Sequence, residues 1–176
     1  MAWLRLLNLL FFGPKVTASK KNYTETEGRE FALLGAELRA LLATTRFGRS
    51  LRILTVSGGS SNAEESELRA LTNAYYDIDR FGLSFVASPR HADILFVTGP
   101  VTRNFAGVLK AVYAAVPQPC LVVAIGDGAC TGGIWKDSYA VVGPVAAVIP
   151  VNLCIPGDPP NPTQILRELL GALRST

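Results

Sequence analysis

Residues 76–102 read YDIDRFGLSFVASPRHADILFVTGPVT. Within them, residues 83–86 form a short apolar run that reads as a strand. Residues 92–97 (ADILFV) carry one polar residue and end at Thr98-Gly99. A strand without polar alternation is buried on both faces, the habit of parallel sheets. Gly82 and the Gly99-Pro100 pair punctuate the two runs. Beyond them, residues 100–116 set Val101, Phe105, Val108 and Val112 along one helical face.

Working outward, the same alternation continues. Residues 51–56 read as a strand that runs into the loop SGGSSNAEE (57–65), and residues 63–75 read as a helix. Residues 27–46 place Phe31, Leu34, Leu38 and Leu41 in a helical stripe. Residues 121–125 form another buried strand, closed by the loop IGDGACTGG (125–133). Residues 145–149 read as a strand before Pro150. Asn161 caps a last helix with Pro162 at its first position, and Ile165, Leu166, Leu169, Leu170 and Leu173 form its apolar stripe. Short strands alternating with helices imply an α/β fold. The expected form is flavodoxin-like and doubly wound, with a mostly parallel sheet, helices on both faces and an N-terminal helical extension. Ligands in such sheets gather beyond the carboxyl ends of the strands. The loops at 57–65, 125–133 and IPGDPPNP (155–162) are all expected on that edge.

Composition narrows the function. With 176 residues, the chain can bury one substantial core. Apolar residues reach 49% and charged residues only 18%, which points to surface covered by partners. A net charge of +3, with no basic run interleaved with aromatics, excludes a nucleic-acid surface. Cys120, Cys130 and Cys154 show no C-x-x-C spacing and read as reduced cysteines. One histidine, His91, with no cysteine beside it gives no support for a nucleophilic triad. The loop SGGSSN could cradle a flavin phosphate with its backbone N–H groups, but it holds no Lys or Arg, and Glu64 and Glu65 oppose an anion. The opening MAWLRLLNLLFF is too short to span a bilayer before Gly13-Pro14. It reads either as a helix docking on a membrane subunit or surface, with Trp3, Phe11 and Phe12 as contacts, or as a cap on the domain's own core. Docking is favoured, because apolar residues occupy nearly every face. The expected division is residues 1–48 for the apolar helix, linker and second helix, and residues 49–176 for the α/β domain.

From about residue 49 to residue 173 the sequence resembles the small subunit shared by respiratory complex I and the membrane-bound [NiFe]-hydrogenases. The Arg-Phe-Gly turn at 80–82 leading into Ser-Pro-Arg at 88–90 and Ala-Asp at 92–93 is similar to that family's signature. SPRHADILFVTGPVTR (88–103) is most similar to the hydrogenase and formate hydrogenlyase branch. PVNLCIPGDPPNP (150–162) resembles the family segment ending in Pro-Gly-Cys-Pro-Pro, and SGGSSNAEE resembles the loop with a Cys-x-x-Cys-Glu motif. The resemblance implies four cysteines holding one [4Fe–4S] cluster. Here those positions are Ser61, Glu64, Gly128 and Asp158, and Glu65 matches the family's glutamate. A cubane cluster wants soft, anionic thiolates, and glycine supplies no side chain.

No cofactor and no catalytic residue are therefore expected of this chain. The resemblance implies a cluster-less coupling subunit. Its partners would be a hydrogenase-large-subunit-like or complex I 49 kDa-like protein and membrane-arm subunits, at the cytoplasmic face of the cell membrane. Arg80, Arg90, His91 and Arg103 are the other interface candidates; His91 reads as a proton-relay group or, more plainly, as a capping residue at a subunit contact. Glu64 and Asp158 are hard oxygen donors. With Ser61 and Asp127 they could hold Mg²⁺, or they could pair with Arg90 or Arg103, or simply be solvated.

Overall fold

The computed structural model describes residues 24–44 and 50–174. Trp3, Phe11 and Phe12 lie outside the described residues. Strand β1 (Leu51–Ser57), helix α1 (Thr24–Thr44) before it and helix α2 (Ala63–Ala70) after it open the fold. Strands β2 (Leu83–Phe85), β3 (Ile94–Thr98) and β4 (Val101–Thr102) follow, then helix α3 (Arg103–Ala115) and strand β5 (Leu121–Ile125). Helix α4 (Asp127–Thr131), strands β6 (Val141–Gly143) and β7 (Leu153–Ile155), and helix α5 (Pro162–Arg174) complete it.

The main sheet has five strands in the order β2-β1-β3-β5-β7, and every pairing is parallel. Counted within this sheet alone, that is the flavodoxin-like order. β4 and β6 form a separate antiparallel pair. All five residues of β3 are buried, as its sequence requires. Its side chains alternate between two apolar clusters. Ile94 and Phe96 join Phe31, Leu38, Ile53, Ile125, Leu166 and Leu169 on one face. Leu95 and Val97 join Leu109, Val122, Ala124, Val145 and Ile149 on the other.

Helix α1 is part of this core. Its stripe delivers Phe31, Leu38 and Leu42 to the first cluster. The Phe31 ring meets Tyr76 edge-on at 4.7 Å and Phe81 at 5.9 Å. At Gly35 the helix approaches so closely that a Cβ would lie 2.3 Å from the Phe81 ring. Glu30 pairs with Arg167, and Glu37 with Arg174 at 2.7 Å. The seven-residue spacing on both helices means that α1 and α5 run side by side in the same direction. Both ion pairs are exposed and add little; the buried stripe does the holding. The apolar face of α1 is thus used within the fold rather than left for a partner. Among the described residues, no helix is long and apolar enough to cross a membrane.

The structure departs from the sequence reading in four places. Val101, read on the helical face over 100–116, lies in β4 opposite Gly143 of β6, and α3 begins only at Arg103, with Val108 48% exposed. Residues 145–149 are not a strand: Val145–Ala147 is a 3₁₀ turn. Only Val145, Ile149 and half-buried Val148 face the core, while Ala146 and Ala147 are exposed, a helical rather than alternating pattern. The last strand is β7 instead, short enough to be hidden between Pro150 and Pro156. The helix expected over 63–75 stops at Ala70, because Thr72 Oγ1 donates to the Arg69 carbonyl (2.8 Å) and the Asn73 side chain accepts from Tyr75 and Tyr76 N–H (2.9 and 3.0 Å). Such local side-chain bonds compete with helix continuation. The loop at 125–133 contains the one-turn helix α4. Asn161 caps α5 as expected, its Oδ1 accepting from Gln164 N–H at 2.7 Å.

If α1 belongs to the core, Phe31→Ala should lower unfolding free energy by about 3–5 kcal/mol in urea titration. Leu33→Ala, at a position 68% exposed, should change it by less than about 0.5 kcal/mol.

Candidate functional site

Three loops leave the carboxyl edge of the sheet and are tied there by backbone bonds. Gly58 N–H donates to the Thr98 carbonyl (2.9 Å), and Thr102 N–H donates back to the Gly58 carbonyl (3.0 Å). Gly126 N–H donates to Ile155 O (2.8 Å) and Asp127 N–H to Gly157 O (2.9 Å). Gly157 N–H in turn donates to Asp127 Oδ1 at 2.9 Å. The β1 loop is thus tied to the segment after β3, and the β5 loop to the β7 loop; the pairing of Thr98 with Ile125 at the ends of β3 and β5 sets the two tied pairs side by side.

A cavity of about 660 Å³ opens at that edge. Ser61, Glu64, Gly128 and Asp158 all line it, although they come from three loops spread over nearly a hundred residues. Ser60, Asp127, Thr131 and Lys136 add polar groups to its lining, Pro100 adds an apolar one, and Ile134 and Trp135 line it as well. Ile134 and Trp135 are 87% and 58% exposed, so they form an apolar lip on one side of a mainly acidic hollow. Read from sequence alone, Trp135 is an isolated interface or packing residue, Pro100 is only a punctuation mark after a strand, and Ile134 and Lys136 do not stand out. The only available signal is a Gly-Gly pair followed by two large apolar residues in a loop.

The two neighbouring glutamates each keep a buried Oε2 without a hydrogen-bond partner, yet their carboxyls shift in opposite directions. Glu65 Oε1 accepts from Ser60 Oγ and from Thr98 Oγ1 (2.6 Å for the latter). It staples the β1 loop to the end of β3. Burial pushes its carboxyl up, but the Ser60 and Thr98 hydroxyls outweigh that and hold it below the ordinary range. Glu64 is 4% exposed, its carboxyl packs over Gly126, and its Oε2 has no hydrogen-bond partner. Burial raises its pKa, and the charges of Glu65, Asp158 and Asp127 raise it further.

The donor set does not fit a four-iron cluster. It offers one hydroxyl, two carboxylates and, at Gly128, nothing. A Cβ at Gly128 would lie 2.7 Å from Pro100 Cδ, so the proline ring stands where a fourth ligand's side chain would start. Cys130 and Cys154 do not line the cavity, and Cys120 precedes β5 at the opposite edge. Nor do the acids gather for Mg²⁺: among the described residues no three His, Cys, Asp or Glu side chains group to hold a metal ion. Asp127 is engaged by Gly157, and Asp158 is exposed. Among the described residues the ion pairs join Arg167 to Glu30 and Arg174 to Glu37, so Arg90 and Arg103 do not pair with Glu64 or Asp158.

The other candidates lie elsewhere and face outward. Arg80 stacks over the Phe81 ring at 4.5 Å and is exposed. Arg90 and His91 end the 3₁₀ turn Pro89–His91 before β3, and Arg103 opens α3; all three are exposed.

Comparison with known proteins gives a consistent result. Residues 40–172 match the family model described as NADH ubiquinone oxidoreductase, 20 Kd subunit. A probable membrane-bound hydrogenase subunit of Pyrococcus furiosus is 42% identical over 126 residues, which is 72% of this chain and 75% of that protein. An NADH-quinone oxidoreductase subunit of Desulfovibrio desulfuricans is 41% identical over 134 residues, 76% of this chain and 72% of that one. Among solved structures, a chain of the membrane-bound sulfane sulfur reductase, an archaeal respiratory membrane complex, superposes with a TM-score of 0.63 at 27% identity. That match covers 83% of this chain and 77% of the other.

The glutamate environment yields a pH test. Below the ordinary carboxyl value of 4.5, Glu64 is protonated in both folded and unfolded chains and its burial carries no charge penalty. As pH rises from there through its raised folded pKa, stability falls and stays lower. Glu64→Gln should therefore stabilise the chain at pH 7 by on the order of 1 kcal/mol. The gain should vanish towards pH 4 when both proteins are compared by urea unfolding.

Proposed function

The chain belongs to the NADH ubiquinone oxidoreductase 20 Kd subunit family, and from that premise we propose that it is a cluster-less coupling subunit of a membrane-associated complex I-like or hydrogenase-like assembly. The observation that carries this reading is the convergence of Ser61, Glu64, Gly128 and Asp158 on one cavity. The positions are together, yet they offer hard oxygen atoms and a glycine in place of thiolates. A [4Fe–4S] cluster would supply one-electron transfer between carriers. This chain's own groups can hydrogen-bond, hold a proton at Glu64 and present charge, but they cannot relay electrons.

In this role the protein holds a large, catalytic-like subunit against an ion-translocating membrane arm. The apolar lip at Ile134 and Trp135 supports burial of the cavity's mouth by that large subunit, since exposed apolar side chains of this size favour a partner. The segment that precedes α1 supplies the membrane-arm contact through Trp3, Phe11 and Phe12, while α1 itself is committed to the core, with Arg80, Arg90, His91 and Arg103 as polar contacts elsewhere on the surface. The complex would sit at the cytoplasmic face of the cell membrane, with this chain held there through its partners. Either its reaction is not a redox reaction, or electrons reach their acceptor without crossing this subunit.

Affinity purification of the full chain from its native membranes, with iron and acid-labile sulfide analysis, tests the proposal. The expected result is co-purification of a large-subunit-like protein and no iron attributable to this chain. About four irons per copy, with thiolate-to-iron absorbance, would replace it with an electron-transfer subunit whose cluster is held unusually. A monomer carrying a yellow cofactor would replace it with a stand-alone flavodoxin-like binding module.

A further inference from the structure

Two of the three cysteines meet on the face of the sheet that α3 covers. Cys130 lies in α4, and its Sγ is 3.6 Å from the Ala124 carbonyl of β5. Ala124 is the direct register partner of Cys154 in β7. On β7, Leu153 packs against the α1 and α5 cluster, so the alternation of the strand turns Cys154 to the opposite face. That is the face where half-buried Cys130 packs. The two thiols therefore share one carbonyl's neighbourhood, and each is in the other's surroundings: burial first, and then the adjacent Cys154 thiol, push Cys130 up to about 12. Cys154 is exposed, whereas Cys130 is half-buried. An accessible thiol beside a sheltered one is the arrangement of an attacking and a resolving cysteine.

We propose that Cys130 and Cys154 are a reversible dithiol–disulfide pair, oxidised by low-molecular-weight disulfides, that clamps β7 to α4 behind the cavity. The chemistry balances in two exchange steps. The Cys154 thiolate attacks one sulfur of the small disulfide, forming a mixed disulfide and releasing one small thiolate. The Cys130 thiolate then attacks the Cys154 sulfur of that mixed disulfide and releases the second small thiolate. Two electrons pass from the protein sulfurs to the small disulfide, and the two thiol protons end on the two released thiols.

The position gives the bond a consequence. α4 starts at Asp127 and Gly128, and β7 leads into Gly157 and Asp158. These two loops already exchange the Asp127–Gly157 bonds described above. A covalent link would fix half of the cavity's rim from behind while leaving its lining groups unchanged.

The test uses the full chain, reduced and then exposed to oxidised glutathione, with alkylation of remaining thiols, intact mass and peptide mapping. No Lys or Arg lies between Lys110 and Lys136, so Cys120 and Cys130 share a tryptic peptide. Cys120→Ser therefore serves as the mapping background. In that background the expected result is a transient glutathione adduct, then loss of both remaining alkylatable thiols and a peptide link between Cys130 and Cys154, reversed by dithiothreitol. Added Cys130→Ser should trap the adduct on Cys154. Added Cys154→Ser should leave Cys130 without adduct. A persistent adduct with Cys130 present, no reaction at all, or a link that survives Cys130→Ser in the chain with Cys120 intact would each overturn the proposal.

Discussion

Strand β3 has no polar face to offer water, and the rest of the fold follows from that constraint. Its five residues are all buried, so both faces of the sheet must be covered. Helices α1 and α5 cover one, and α3 with the Val145–Ala147 turn covers the other. Because β1 and β5 flank β3 in parallel, the chain must return across a face after each strand. Every strand of the main sheet then ends on the same edge. That edge is where three loops can meet, and Thr98, the last residue of β3, is hydrogen-bonded to Glu65 there. Core and site are thus joined at one residue.

The site has the architecture of a ligand-holding edge. The Gly58–Thr98 bond ties the β1 loop to the end of β3, and the Gly126–Ile155 and Asp127–Gly157 bonds tie the β5 and β7 loops. Ser61, Glu64, Gly128 and Asp158 line it with a hydroxyl, two carboxylates and a glycine. Glu65 Oε1 accepts from two hydroxyls and serves as a structural staple. Glu64 and Glu65 each keep one buried oxygen, Oε2, without a hydrogen-bond partner. A buried polar atom left without a partner opposes folding, so this pair of carboxyls makes the site a locally costly part of the fold.

Much of the fold was legible from pattern. The runs at 51–56, 92–97 and 121–125 are strands because β-branched and apolar residues without alternation suit a doubly covered sheet. The cap at Asn161 placed the start of α5 at Pro162, and the stripe through Leu173 gave its buried face. Legibility failed where elements are short or local bonds compete. Asn73 ended α2 early by accepting two backbone N–H groups. β7 has three residues, too few for periodicity to register. Val145 and Ile149 are β-branched, yet they follow a helical spacing onto the core. The four site positions were legible only through resemblance; neither composition nor spacing marks a serine, a glutamate, a glycine and an aspartate as a set.

By itself, the sequence determined the α/β class and the carboxyl-edge location of three Gly- or Pro-rich loops, while its resemblance to a family supplied the four positions without thiols. The class and the loop locations are properties of residue type and periodicity, which the chain carries wherever it is folded. Only the tertiary structure decided that the four positions share one cavity, that Pro100 stands over Gly128, that Glu64 is buried while Glu65 is bonded, and that Cys130 sits beside Cys154. Each of these depends on which strands become neighbours in the sheet. β5 and β7 are separated by 27 residues that hold only short elements and turns, and their pairing is set by burial of both faces rather than by any local signal.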